Sequence, residues 1–204
     1  MLEIETPHGP ARVLLHQAPR ASGALVLGHG AGGGVSAPDL MVTTRAALEA
    51  QFSVALVEQP YKVAGRRSQP PVTQLDTAWT AVMDRLSADE LAGLRLITGG
   101  RSAGARVACR TAADTGAAGV LCLAFPVHPP GKPEKSREDE LDAVEVPVLV
   151  VQGESDPFGH PSPGPNRTVV TVAGNHSLKA GLDQVETAVR DWLVDFGLSR
   201  SSSR

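Results

Sequence analysis

The feature that most constrains this chain is the stretch at residues 94–108, where an apolar run ends in glycines, meets a serine and continues into helix-forming residues. Within it, the sequence GRSAG at residues 100–104 has the G-x-S-x-G spacing of a nucleophile elbow, a strained turn that lifts the hydroxyl of Ser102 above a sheet. A glycine-rich turn that merely exposes a serine also fits the bare pattern. The flanking residues favour the elbow, because 94–98 predict a buried strand and 103–113 an alanine-rich helix.

Around that stretch, apolar segments typical of buried strands alternate with segments of helical periodicity. This alternation predicts a mostly parallel, twisted α/β sheet with helices on both faces. A proline- and glycine-containing segment at residues 58–71 is expected to be an irregular surface loop, and the charged run at 134–142 a solvated loop with a short helix. The predicted strands are residues 12–16, 24–27, 52–57, 94–98, 119–125, 146–151 and 168–172, and the predicted helices are residues 38–50, 72–86, 103–113 and 182–196.

Length and composition limit the classes of function that need attention. The 204 residues predict one domain at 1–198, followed by a disordered tail at 199–204. A net charge of −3 and 3% aromatic residues argue against nucleic-acid binding. No apolar run approaches the roughly 20 residues that span a bilayer, and the start of the chain lacks the pattern of a signal peptide. We therefore expect a cytoplasmic monomer or homodimer without a membrane partner.

The two cysteines, Cys109 and Cys122, lack the spacing of metal ligands and are expected to be buried, reduced thiols. We predict neither a metal nor an organic cofactor.

Chemically useful side chains follow the predicted strands at their carboxyl ends, the edge of a parallel sheet at which functional groups collect. Ser102 follows the 94–98 strand, Asp156 follows the 146–151 strand, and His176 follows the last strand. A serine, an acid and a histidine in that chain order form the catalytic triad of α/β-hydrolases. His176 is the candidate base for the Ser102 proton, and Asp156 the carboxylate that fixes the imidazole tautomer.

An oxyanion intermediate also needs backbone N–H donors. The candidates are the amide of Ala103 at the start of a helix and the amide of Ala31 or Gly32 in a glycine-rich loop. Rivals for the triad positions are weaker. Glu154 is expected to face solvent, His160 to be solvated, and His29 to hold its own loop by hydrogen bonds.

The walls of a substrate pocket are less well defined by the sequence. Only about twenty residues separate the 119–125 and 146–151 strands, which is too few for a substantial lid, so we expect a shallow, open site. Arg66, Arg67 and Arg101 can favour an anionic substrate or simply be solvated, and Arg101 can instead brace the loops around the elbow. The candidate substrate-binding residues are Tyr61, Lys62, Arg101, His128 and Phe158, with Phe125 as a further wall residue.

The segments at residues 28–33, 99–108, 152–159 and 174–178 resemble those of small, lidless α/β-hydrolase-like domains. These domains occur in a testis-expressed protein family and in a subunit of the non-specific-lethal chromatin complex, and dienelactone hydrolases are more distantly similar. The resemblance implies the α/β-hydrolase fold and the triad of Ser102, Asp156 and His176. Dienelactone hydrolases have a cysteine where this chain has Ser102, which argues against that activity.

The sequence therefore favours a serine hydrolase that acts on a small ester or thioester through an acyl-enzyme, although ester, thioester and amide are not distinguished. One alternative is a hydrolase fold kept as a non-catalytic binding module. Another is a dinucleotide-binding protein, because the loop at residues 28–33 also satisfies G-x-G-x-x-G and Glu58 ends the following strand.

Overall fold

A computed structural model describes residues 1–198 and contains one eight-stranded sheet in that part of the chain. The strands are β1 (Leu2–Ile4), β2 (Ala11–His16), β3 (Gly23–Gly28), β4 (Phe52–Glu58), β5 (Leu96–Arg101), β6 (Gly119–Leu123), β7 (Val148–Gly153) and β8 (Arg167–Val172). The helices are α1 (Pro38–Glu49), α2 (Pro60–Val63), α3 (Val72–Ala88), α4 (Ala103–Arg110), α5 (Glu138–Asp142) and α6 (Leu182–Leu198), with a 3₁₀ turn at Lys179–Gly181.

The order of strands across the sheet is β1-β2-β4-β3-β5-β6-β7-β8. Strands β3 to β8 pair in parallel, while β1 and β2 add an antiparallel edge beside β4. The loops that follow the six parallel strands therefore leave the sheet along one edge. That edge carries the residues singled out by the sequence.

Side chains alternate between the two faces of the sheet, and each face is covered by helices. One face packs against α1 and α6 and includes Leu25, Leu56 and Leu121. The other packs against α3 near β3 and β4, where Trp79 is buried, and against α4 and α5 near β6 and β7. Because both faces are covered, the central strands are nearly continuous apolar runs, as parallel sheets require.

The α/β-hydrolase fold predicted from the sequence is confirmed, with three differences in detail. Residues 58–71 are not wholly irregular, because Pro60 starts α2, and proline suits the first position of a helix, where no N–H bond is needed. The short edge strand β1 was not predicted. Strand β5 spans Leu96–Arg101 rather than the predicted residues 94–98, so it ends directly before Ser102. The predicted tail at 199–204 lies outside the described residues.

Both cysteines are buried free thiols, with 3.5 Å between the two sulfur atoms. The hydrogen bond with Cys109 and burial together raise the pKa of the Cys122 thiol, which keeps it protonated. Within residues 1–198, no three histidine, cysteine or acidic side chains are grouped to hold a metal ion. None of the helices described is both long and apolar enough to cross a bilayer.

Candidate active site

Ser102 lies on a strained turn between β5 and α4. Its backbone has φ 52° and ψ −107°, a conformation that non-glycine residues rarely adopt. The turn is pressed against the end of β3: a Cβ atom on Gly100 would lie 2.4 Å from the Gly28 carbonyl oxygen, and one on Gly104 would lie 2.5 Å from the same atom. The two glycines of the G-x-S-x-G pattern are thus required by close backbone packing.

Three side chains form a hydrogen-bonded chain at this turn. The Oγ of Ser102 lies 2.9 Å from Nε2 of His176, and Nδ1 of His176 lies 2.8 Å from Oδ2 of Asp156. A carboxylate can only accept, so Nδ1 carries the imidazole proton and Nε2 is left to accept the hydroxyl proton of Ser102. The three predicted residues, which come from loops after β5, β7 and β8, are brought together in the order that proton removal from serine requires.

The carboxylate of Asp156 is held from two further directions. Its Oδ1 accepts a hydrogen bond of 2.9 Å from the backbone N–H of Phe158, and its Oδ2 accepts one of 2.9 Å from Nε2 of Gln152. Both Asp156 and Gln152 are buried. Of the two rival residues in this loop, Glu154 is exposed and His160 bonds to the Gly153 carbonyl rather than to the chain of three.

The glycine-rich loop after β3 is fixed by a buried histidine. The backbone N–H of Gln59 donates to Nε2 of His29, so Nδ1 carries the proton and donates to the Gly30 carbonyl over 2.8 Å. Burial lowers the pKa of His29, which favours this neutral form. His29 therefore holds its loop, as the sequence predicts, and is too engaged to act as a base.

Two peptide units of this loop are oriented by those bonds. The Gly30 carbonyl faces His29, so the N–H of Ala31 in the same planar peptide points the opposite way. The Ala31 carbonyl accepts the Tyr61 hydroxyl over 3.2 Å, so the N–H of Gly32 points away from Tyr61. A Cβ on Gly30 would lie 3.6 Å from the Cβ of Ser102, which brings this loop beside the elbow.

Ala103, the third predicted oxyanion donor, is the first residue of α4. The backbone N–H groups of Ala31, Gly32 and Ala103 form no hydrogen bond with any residue from 1 to 198. Unused N–H groups at a helix start and in a glycine loop are the donors that an oxyanion needs.

Arg101 joins three parts of the site. Its Nε lies 2.8 Å from Oδ2 of Asp39 at the start of α1, and its Nη2 donates to the backbone carbonyl of His176 over 2.9 Å. Its Nη1 also lies close to Gly30, since a Cβ atom added to Gly30 would be 2.7 Å from Nη1. Burial raises the pKa of Asp39, although the charge of Arg101 acts to lower it. These contacts favour the bracing role of Arg101 over the substrate-binding role also predicted for it.

The other predicted pocket residues lie at different distances from the reacting groups. The Phe158 ring packs edge-on against the His176 ring, with 4.4 Å between centroids. His128 is one layer further out, since its backbone N–H donates to the Phe158 carbonyl. Tyr61 is buried and supports the glycine loop, while Lys62 beside it is half-buried. Phe125 is fully buried in the core, so the prediction that it forms a pocket wall was wrong.

A family model described as an alpha/beta hydrolase domain matches residues 21–189. The chain belongs to the alpha/beta hydrolase family. One similar solved structure is a lidless serine hydrolase from Xanthomonas campestris, which is 21% identical to this chain and has a TM-score of 0.75. The match covers 100% of this chain and 94% of that chain. Est1E from Butyrivibrio proteoclasticus, with ferulic acid bound, has 17% identity, coverages of 96% and 98%, and a TM-score of 0.80.

A third similar structure is an esterase from Pyrococcus furiosus, with 14% identity, 98% of this chain and 88% of that chain covered, and a TM-score of 0.73. At these identities the solved structures establish the fold of the hydrolase. The narrower resemblance to the testis-expressed and non-specific-lethal domains stays a prediction.

Residues 28–33 do not have the features of a dinucleotide site. In such a site the helix opens within the glycine pattern, so that its N-terminus meets the pyrophosphate. Here α1 begins only at Pro38. The strand order also differs from the 3-2-1-4-5-6 order of dinucleotide-binding domains.

Sequence reasoning missed two residues of the hydrolase site. Gln152 begins the segment at residues 152–159 that carries the resemblance, but glutamine at the end of an apolar strand belongs to no catalytic pattern and was given no role. Asp39 was overlooked for the same reason, although an acid beside Pro38 at a helix start is a recognisable N-terminal feature. Asp39 acts through its contact with Arg101, which is distant in the sequence. Gln152 acts through its contact with Asp156, which forms only when the loop between them folds.

Proposed function

We propose that this protein is a serine hydrolase of the carboxylesterase or thioesterase type, acting on small esters or thioesters. The observation that carries the proposal is the hydrogen-bonded chain from Ser102 through His176 to Asp156, with distances of 2.9 Å and 2.8 Å, built on a strained turn. Strain at such a turn is costly and persists where the surrounding structure enforces it, as the packing against Gly28 does here.

The reaction begins when Nε2 of His176 takes the Ser102 proton while Oγ attacks the acyl carbon. The carbonyl oxygen becomes an oxyanion, stabilised by the Ala103 N–H and by the N–H of Ala31 or Gly32. Asp156 stabilises the imidazolium without taking its proton. Collapse of the intermediate breaks the bond to the alcohol or thiol, which leaves with the proton from His176, and an acyl-serine remains.

The second half of the reaction repeats the first with water. His176 takes a proton from water as the water oxygen attacks the acyl-serine, and then returns a proton to Oγ of Ser102 as the acid leaves. Similar solved structures include an esterase and Est1E with ferulic acid bound, which supports ester chemistry as the starting point.

The test is labelling of the purified protein with a fluorophosphonate probe, followed by peptide mass mapping and assays with short-chain esters and thioesters. We expect one adduct, on Ser102, that is lost in Ser102→Ala and His176→Ala and kept in Ser68→Ala, a matched change at an exposed serine. Absence of an adduct on native protein with an intact circular-dichroism spectrum would overturn the proposal and favour a non-catalytic binding module.

A further inference from the structure

Charge is distributed unevenly between the site and the rest of the molecule. The loops that follow the parallel strands at residues 29–37, 59–71, 124–137, 154–166 and 173–181 carry seven of the 19 lysines and arginines. The same loops carry three of the 22 acidic residues, and one of those three is the buried Asp156. The positive charge is concentrated at residues 59–71, because Glu138 at the start of α5 also reaches the 154–166 loop, where it accepts the backbone N–H of Ser162.

The cations in these loops also lack internal partners. Elsewhere, basic side chains such as Arg45, Arg85 and Arg110 form ion pairs with acidic residues. Among residues 1–198, no acidic side chain forms an ion pair with these six: Lys62, Arg66, Arg67, Lys132, Lys135 and Lys179. Their charges are available to a bound anion.

The segment at residues 59–71 is the most one-sided, because it holds Lys62, Arg66 and Arg67 and no acid. Arg66 and Arg67 are exposed and Lys62 is half-buried, while the acid nearest in sequence, Glu58, ends β4. The segment borders the proposed oxyanion donors in two ways. Tyr61 bonds to the Ala31 carbonyl, and Gln69 lines the same small cavity as Ala103.

On the basis of the proposed function, we propose that the substrate is an ester or thioester bearing an anionic group, a carboxylate or a phosphate, which Lys62, Arg66 and Arg67 attract. Cations grouped at an open site raise the local concentration of an anionic substrate and speed its capture. Because the three side chains reach into water, their effect is moderate and is weakened by salt.

Matched substrate pairs separate charge from size. For an anion on the acyl side, the pair is the mono-para-nitrophenyl ester of adipic acid and the same ester with its free carboxyl group converted to a primary amide. For an anion on the leaving group, the pair is acetyl-phosphopantetheine and acetyl-pantetheine. In each pair the measured quantity is the ratio of kcat/KM for the anionic member to kcat/KM for the neutral one.

At low ionic strength we expect this ratio to be about ten or more for at least one pair. It should fall several-fold in the triple variant K62Q/R66Q/R67Q, and also in native protein at 0.5 M salt, which shortens the range of the charges. The control variant R20Q/R85Q/R190Q removes the same charge from exposed or half-exposed positions outside these loops and should leave the ratio unchanged.

A ratio near one for both pairs in a native protein that hydrolyses the neutral esters would overturn this inference and leave the proposed function intact. A ratio that falls equally in the triple variant and the control would also overturn it, since net charge alone would then be responsible. Failure of the proposed function has a different signature, because neither member of any pair would be hydrolysed and Ser102 would not be labelled.

Discussion

Arg101, the residue directly before Ser102, forms an ion pair with Asp39, with 2.8 Å between Nε and Oδ2. Asp39 is 1% exposed, so its charge depends on this partner. Replacing Arg101 by methionine leaves a buried carboxylate unpaired, and we expect a loss of about 3 kcal/mol in the free energy of unfolding. Urea denaturation at pH 7 measures it.

The matched double variant D39N/R101M should recover part of that stability, because the buried charge is gone. It should still turn over substrate about tenfold more slowly than native protein, since nothing replaces the bond from Arg101 to the His176 carbonyl. Recovery of both stability and turnover would mean that Arg101 acts through the ion pair alone.

Gln152 donates to the same oxygen of Asp156 that His176 contacts. The variant Gln152→Met keeps the volume but removes the donor, leaving the buried carboxylate less well oriented. We expect kcat/KM to fall about tenfold and the free energy of unfolding to fall by about 1 to 3 kcal/mol. Gln17→Met, at an exposed position, is the control, and a stability loss with unchanged kcat/KM would assign Gln152 a purely structural role.

His29 makes stability depend on pH in a defined direction. Burial lowers its pKa below the 6.5 of an exposed histidine, so below pH 6.5 the unfolded chain takes up a proton that the folded protein resists. Stability is therefore lost as pH falls from about 7.5 toward the lowered folded value. In His29→Gln, which keeps a donor and an acceptor, this part of the pH dependence should vanish. His8→Gln, at an exposed position, should retain it.

The strained backbone of Ser102 predicts that removing its Cβ stabilises the protein. Glycine adopts φ 52° and ψ −107° with less steric strain than any other residue, so Ser102→Gly should be about 1 kcal/mol more stable than Ser102→Ala. Both variants lack the hydroxyl and should be inactive, which makes the comparison independent of turnover. Equal thermal and urea midpoints for the two would contradict strain at the elbow.

Much of this fold could be predicted from the sequence, because parallel strands that are buried on both faces appear in a sequence as apolar runs. Ser102, Asp156 and His176 were found because each follows such a run, and strand ends share one edge of the sheet. The sequence does not reveal the short helix at Pro60–Val63, because proline usually ends a helix, although it is well suited to a first helical position.

The contacts around the three residues were harder to predict. Arg101, at the end of β5, meets the carbonyl of a residue 75 positions later, and its partner Asp39 lies on helix α1, so only tertiary packing brings them together. Gln152 is hidden for a related reason, since its role depends on the turn that folds Asp156 back toward it.

The link between β6 and β7 leaves the sheet at residue 124 and returns at residue 147, and its tip at residues 130–136 is exposed. Loop closure costs little more free energy as a loop lengthens. A helical hairpin inserted at this tip would therefore add a covering segment with little loss in the free energy of folding. For the proposed reaction, one segment inserted here would add selectivity for the acyl chain while the framework of strands stays unchanged.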